Sequence, residues 1–227
     1  QPAYIGQAGS GAISEQRNRV LRNTYWLLAL SLVPTVLGAW VGVSTGVMAR
    51  LGMGISTIVF LAGAFGFMFA IEKFKNSSTG VMLLLGFTFF MGLMLSRMLA
   101  AVLGFSNGAS LIMYAFGGTA AVFFAMASLS SVIKRDLSNM GKFLFVGAIL
   151  LLVAGLINLF VQSGALMITL SVIAIGLFSA FMLYDLKRVI DGGETNYVSA
   201  TLAIYLDIYN VFQSLLALLG IFGGERE

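Results

Sequence analysis

The chain is divided into long runs of uncharged, mostly apolar residues, which are separated by short charged turns. The longest run, residues 143–184, contains 42 residues without a charge. A transmembrane helix needs about 20 such residues to cross a ~30 Å hydrocarbon core. Charged residues make up only 10% of the chain, whereas a soluble domain has about 25%. These runs therefore predict an all-α integral membrane protein.

Counting the runs predicts seven transmembrane helices. The longest run is too long for one helix and is predicted to break at residues 162–164. The predicted spans are 23–49 (with a kink at Pro34), 51–71, 76–101, 109–133, the two parts of 143–190 on either side of the break, and 197–222. We expect one transmembrane domain over residues 23–224, with no soluble domain and a short external tail at 225–227.

Residues 1–22 are polar, small and basic. No apolar core precedes Arg17, Arg19 and Arg22, so this segment does not resemble a cleavable signal peptide. We expect a mobile cytoplasmic tail. Because residue 1 is Gln, we also expect the numbering to begin inside a longer gene product.

The basic residues predict the orientation of the chain. Ten of the 13 Lys and Arg residues belong to the side of the amino terminus: Arg17, Arg19, Arg22, Lys73, Lys75, Lys134, Arg135, Lys142, Lys187 and Arg188. The positive-inside rule then places the amino terminus in the cytoplasm and the carboxyl terminus outside. The net charge of +4 needs no nucleic-acid partner, because attraction of flanking residues to anionic lipid explains it.

Two carboxylates in the last third of the chain are the candidate functional residues. Asp185 lies near the end of the sixth predicted span, and Asp207 lies within the seventh, between Leu206 and Ile208. An ionisable residue at membrane depth is costly and indicates a functional site. For Asp185 the alternative is a solvated charge at a helix end, because basic residues follow it closely. The absence of Cys and His excludes thiol and imidazole chemistry.

Other polar residues allow a structural or a functional interpretation. Asn196, Ala203, Asp207, Asn210, Ser214 and Ala217 recur at the spacing of one helical stripe. For Asn210 and Ser214 this stripe is either a packing seam or support for the carboxylates. Arg97 either extends to the outer headgroups or serves as a counter-ion in a pore.

Several motifs resemble one known family. They are Leu21-Arg22-Asn23-Thr24-Tyr25, Gly117-Gly118-Thr119-Ala120, Tyr184-Asp185, Gly192-Gly193-Glu194-Thr195-Asn196-Tyr197 and Leu206-Asp207-Ile208-Tyr209-Asn210. The chain resembles the transmembrane Bax-inhibitor-motif family, and within it the bacterial YccA-like branch. The similarity covers the chain from Leu21 onward, and the last forty residues are its most specific part.

The resemblance implies a fold, an activity and a partner. It implies seven helices around a central seventh, a pH-sensitive calcium leak, and an aspartate pair that matches Asp185 and Asp207 as the proton sensor. It also implies binding to the membrane-anchored protease FtsH, with the amino-terminal tail involved, in a bacterial inner membrane. Relatives that form channels can pair the span-six aspartate with an arginine of span two, but residues 51–71 contain no basic residue. A different latch, or none, must therefore operate.

The chemistry of the residues is compatible with calcium. Two aspartates with Asn210, hydroxyls and water would form a weak, partly hydrated Ca²⁺ site. Helix rise counted from the turn at 192–193 predicts that the two carboxylates are offset by roughly 9 Å along the bundle axis. Tilting, an unwound start of the seventh span, or water must bridge this distance. We expect no bound cofactor and no enzymatic activity, with FtsH modulation as the alternative to calcium leak.

Three other classes fit the sequence less well. An intramembrane aspartyl protease would need Gly-x-Gly-Asp where the chain has Ile204-Tyr205-Leu206-Asp207. A retinal protein would need a Lys in the seventh span to form its Schiff base, and there is none. A proton-coupled transporter remains open, although the chain has neither a repeated half nor a pair of broken helices.

Overall fold

The protein is a bundle of long α-helices. A computed structural model describes the backbone of residues 4–225 and the side chains of residues 14–225, and this part contains no β-strand. The helices are α1 (Tyr4–Thr45), α2 (Val47–Arg50), α3 (Gly52–Phe74), α4 (Ser78–Leu103), α5 (Gly108–Val132), α6 (Met140–Val161), α7 (Gly164–Ile190) and α8 (Tyr197–Gly223). All except α2 are long and apolar enough to cross a membrane. The predicted all-α fold with seven spans is therefore confirmed.

The first helix differs from its predicted bounds. The predicted span 23–49 is too long at its end, because α1 stops at Thr45 and Gly46 adopts the left-handed conformation at φ 63°. Glycine adopts this conformation without steric cost, and it commonly ends a helix. Residues 4–22 continue α1 instead of forming a separate segment, since no proline interrupts them. The predicted mobility of residues 1–22 and the kink at Pro34, through which α1 continues, stay predictions.

Helices α1 and α4 form the most extensive contact of the bundle. A side chain at Gly38 would meet the backbone oxygen of Phe89, and one at Gly92 would meet that of Thr35. Gly42 packs against Ser96 in the same way. Small residues allow two backbones to approach closely where lipid provides no hydrophobic drive for helix association. The three glycines therefore fix the crossing of α1 and α4.

Helix α8 lies at the centre, as the resemblance implies. It packs against α1, α3, α4, α5 and α7. The Tyr205 hydroxyl shares a hydrogen bond of 2.8 Å with Thr35 of α1, and the Tyr209 hydroxyl donates to the Met91 carbonyl of α4 at 3.2 Å. Buried polar groups require such partners, most of all where no bulk water is present. The polar side chains of α8 thus tie it to the helices around it.

The two ends of the bundle differ in charge. The turns α3–α4, α5–α6 and α7–α8 lie at one end, together with most of the basic residues, and we call this the basic end. At the far end, the Asn107 side chain donates to the Gly223 carbonyl at 2.6 Å, and the Ser106 amide donates to the Glu225 carbonyl. These bonds join the α4–α5 turn to the end of α8. Of the predicted external tail, residues 226–227 lie outside the described residues.

Candidate functional site

The turn between α7 and α8 is held by charges and by a helix cap. Lys187 pairs with Asp191 at 2.7 Å, and Arg188 pairs with Glu194 at 3.3 Å. The Asn196 side chain accepts hydrogen bonds from the amides of Val198 and Ser199, and so caps α8. Asparagine is a preferred residue at this position because its oxygen satisfies amides that the helix leaves free. The sequence prediction that Asn196 belongs to the helical stripe is therefore wrong.

A second set of bonds joins this turn to the turn between α3 and α4. The side-chain NH₂ group of Asn196 donates to the Lys75 carbonyl at 3.1 Å and to the Asn76 side-chain oxygen at 2.8 Å. The Ser199 hydroxyl donates to Glu72 at 2.7 Å. Glu72 also accepts from Lys75 at 2.7 Å, and this bond raises the pKa of the Lys75 ammonium group. The end of α3 is thus fastened to the start of α8.

The two candidate aspartates meet between α7 and α8. Their carboxyl groups lie close enough to interact with each other. The predicted offset is closed because side chains lean toward the amino end of their own helix, and these two helices are antiparallel. Asp185 therefore leans away from the turn and Asp207 leans toward it. Helix α8 is regular from Tyr197, so no unwinding is needed.

One carboxyl oxygen of Asp207 is buried without a hydrogen-bond partner among the described residues. Asp207 is only 4% exposed, and no N–H or O–H group of the described residues donates to its buried Oδ2 atom. Ionised carboxylates only accept hydrogen bonds, so a direct hydrogen bond between two carboxyl groups requires a proton on one of them. A buried charge without partners is strongly disfavoured. Protonation of at least one carboxyl group would relieve this cost.

A cavity reaches Asp185 from the basic end. It has a volume of about 230 Å³ and reaches from Arg188 and Glu194 at the turn to Asp185 and Leu206 inside the bundle. Glu72 and Ser199 line it as well. The cavity is large enough for several water molecules, which need polar partners such as these. Asp185 is thus within reach of solvent from one end, whereas Asp207 lies behind it.

The two aspartates are too few ligands for a tight metal site. Within residues 14–225, no three Asp, Glu, His or Cys side chains are grouped closely enough to hold a metal ion. Tight calcium sites use six to eight oxygen ligands, several of them carboxylates. Two carboxyl groups with water would bind calcium weakly, and weak binding permits release.

The other predicted site residues lie at different places. Asn210 is half-buried one turn beyond Asp207 and donates to the Leu206 carbonyl at 2.7 Å, and Ser214 is half-buried one turn further. Arg97 lies two turns beyond Phe90, whose ring packs on Phe67 of α3, so it belongs to the α3-facing side of α4. Among the described residues Arg97 has no carboxylate within 4.0 Å, and its buried Nη1 has no partner.

Of the residues that line the cavity, Asp185 was a candidate from the sequence, whereas Glu72 and Ser199 were not. Neither residue belongs to a motif that indicates a site. The available signal was that Glu72 is the last acidic residue before the α3–α4 turn, at the depth where α8 begins. Glu194 was noted only as part of a turn motif.

Comparisons with known proteins agree with the motifs in the sequence. The family model described as "Inhibitor of apoptosis-promoting Bax1" matches residues 17–224. A Vibrio cholerae protein described as "Uncharacterized membrane protein" is 40% identical over 210 residues, which cover 91% of each chain. The Escherichia coli K12 "Modulator of FtsH protease YccA" is 36% identical over 203 residues, which cover 89% of this chain and 90% of that protein. The chain is thus a seven-helix membrane protein that belongs to the Bax-inhibitor family.

Proposed function

We propose that this protein is a pH-sensitive calcium leak of the inner membrane, in which Asp185 and Asp207 sense protons and line the ion pathway. The observation that carries the proposal is the carboxyl pair itself: Asp185 lines a cavity that can hold several water molecules, and the buried Asp207 has an oxygen without a hydrogen-bond partner among the described residues. A packing seam needs neither an unpartnered carboxyl oxygen nor access from solvent. A proton-controlled cation path needs both.

The protonation states of the pair suggest how flux depends on pH. With both carboxyl groups ionised, repulsion and desolvation are relieved by a bound cation, which then leaves slowly. With both protonated, the site has no charge and attracts calcium poorly. The singly protonated pair lies between these limits, and the protons leave in coupled steps that belong to the pair. Flux is therefore highest at an intermediate pH.

Calcium flux into liposomes that contain only the purified protein tests the proposal. We expect the wild-type protein to admit calcium, and Asp207→Asn to reduce the rate about tenfold, as expected from losing about 1.4 kcal/mol of attraction for the cation. Asp191→Asn is the matched control, because Asp191 is exposed in the α7–α8 turn outside the cavity lining. Flux in Asp207→Asn equal to that of the wild type would refute the role of the pair.

A second candidate function is modulation of the FtsH protease without ion flux. One observation favours it: a relative that is 36% identical over most of both chains is described as a modulator of this protease. The same buried pair would then serve helix packing. The two functions are separable, because binding to a protease uses surface segments and flux uses the interior.

Deleting residues 1–14 tests this separation. If the tail engages FtsH, the deletion changes degradation of a reporter substrate by FtsH and leaves calcium flux intact. Asp207→Asn is expected to do the opposite. Loss of flux on deleting the tail would contradict the division of roles, and unchanged proteolysis would argue against FtsH engagement through the tail.

A further inference from the structure

A shallow groove on the outside of α1 lies near the basic end, away from the carboxyl pair. Its volume is about 400 Å³, and it is lined by Asn18, Leu21, Arg22, Tyr25 and Trp26. These residues recur at the spacing of one helical face. The Tyr25 ring packs edge-on against Phe123 of α5, with the ring centroids 6.3 Å apart. The groove is thus a fixed feature of the bundle surface.

The polar side of the groove carries an unpaired positive charge. Arg22 is exposed, and within residues 14–225 it has no carboxylate within 4.0 Å. Its neighbour Arg19, in contrast, pairs with Glu15 at 3.7 Å. Among the residues with described side chains, no acidic residue lines the groove, and the Asn18 side-chain amide adds hydrogen-bonding capacity. The groove is therefore complementary to an anion.

The apolar side of the groove has the features of a lipid contact. Trp26 is 73% exposed, and the exposed Leu30, Val33 and Leu37 follow it on the same face of α1. From Trp26 to Leu37 this stripe is about 16 Å long, the length of much of an acyl chain. Trp and Tyr are enriched at the level of the headgroups. A peptide would match the charge but would have no use for the stripe within the membrane.

We propose that this groove binds an anionic phospholipid, with its phosphodiester against Arg22 and Asn18 and one acyl chain along Trp26, Leu30 and Val33. Basic pockets at the membrane boundary recognise anionic headgroups in this way. One arginine near the membrane surface contributes attraction equivalent to about a fivefold preference over a zwitterionic lipid. The site is independent of calcium flux and of FtsH.

Quenching of Trp26 by brominated lipids tests the proposal directly. The chain has two tryptophans, so Trp40→Phe leaves Trp26 as the only one. The protein is placed in two sets of phosphatidylcholine vesicles. One set contains brominated phosphatidylglycerol, and the other contains the same mole fraction of brominated phosphatidylcholine. We expect brominated phosphatidylglycerol to bind next to Trp26 about fivefold more strongly.

Two variants show whether Arg22 is responsible. In the Trp40→Phe background, Arg22→Gln is expected to abolish the preference, whereas Arg19→Gln, the matched control, is expected to keep it. Trp26→Phe, which leaves Trp40 at the other half of α1, should show equal quenching by both lipids. Equal quenching of Trp26 in the Trp40→Phe protein would overturn the proposal. The proposal would also be overturned if Arg19→Gln removed the preference for brominated phosphatidylglycerol as fully as Arg22→Gln. That result would indicate diffuse attraction of the lipid to the basic end.

Discussion

Helices α8 and α6 have similar lengths but opposite positions in the bundle. In its most apolar stretch, 44% of α8 is buried, whereas only 6% of α6 is. Helix α8 carries Asp207, Tyr205, Tyr209 and Asn210, while α6 is almost purely aliphatic and aromatic. The more polar helix is therefore the inner one, which reverses the arrangement of a soluble protein.

The reversal follows from the lipid that surrounds the bundle. Lipid tails cannot donate or accept hydrogen bonds, so polar side chains are stable only where other helices supply partners. The apolar residues of α6, such as the exposed Phe143 and Phe160, can face lipid at no cost. In this protein, the more polar of these two spans is therefore the one that other helices surround. This difference also predicts that equal substitutions have unequal effects in the two regions.

The largest expected difference concerns glycine at helix contacts. Gly92→Ala introduces a methyl group against the Thr35 carbonyl of α1, so the two backbones must separate. We expect a loss of about 3 kcal/mol in the free energy of unfolding, the upper range for overpacking. A β-carbon at Gly155 of α6 would meet no atom of the other described helices within 4 Å, so Gly155→Ala should not destabilise the protein. Unfolding in mixed detergent micelles measures both, and equal effects would refute the close α1–α4 crossing.

A smaller difference is expected for tyrosine hydroxyls. Tyr209→Phe removes the bond to the Met91 carbonyl in the centre of the bundle, and it should lower the free energy of unfolding by about 1 kcal/mol. Tyr114 of α5 is 65% exposed, so Tyr114→Phe should have little effect. The same unfolding assay compares the two variants. A larger loss in Tyr114→Phe would show that the inner position of α8 is not what stabilises its polar groups.

The smallest difference is expected at the basic end. Ser199→Ala removes the bond to Glu72 that joins α8 to α3, and it should cost about 0.5–1 kcal/mol. Ser128→Ala is the control, because that hydroxyl is exposed and bonds only within α5, to the Phe124 carbonyl. Calcium flux should rise in Ser199→Ala if the bond narrows the cavity. Unchanged flux and stability would mean that the bond between α3 and α8 is incidental.

The number of spans and the candidate pair could be predicted from the sequence, since both depend on local properties. A run of twenty uncharged residues specifies a span wherever it occurs, and a carboxylate such as Asp207 inside a run is conspicuous. The motifs around residues 184–210 were also sufficient to identify the family, which the comparisons confirm. The end of α1 was harder to predict, because the residue type does not distinguish Gly46, which has a positive φ, from the glycines that lie within helices.

The contacts between helices could not be predicted from the sequence. Asn196 has the spacing of the α8 stripe, yet it is the cap, because only its place relative to the turn decides whether it is helical. Glu72 and Ser199 are far apart in the chain, and their bond depends on how α3 packs on α8. The contact between Asp185 and Asp207 depends on the lean of side chains in antiparallel helices, which helix rise alone does not include. Packing, rather than composition, determines these features.

The central claim is that the polar residues of α8 form a proton-sensing site and do not serve helix packing alone. The pH profile of calcium flux in liposomes tests this claim most directly. The wild-type protein should show maximal flux at an intermediate pH, with lower flux on either side. Asp207→Asn and Asp185→Asn retain size but lose the titrating group, so each should flatten the profile, while Asp191→Asn should preserve it. A profile that is the same in the wild type and in both variants of the pair would contradict the account.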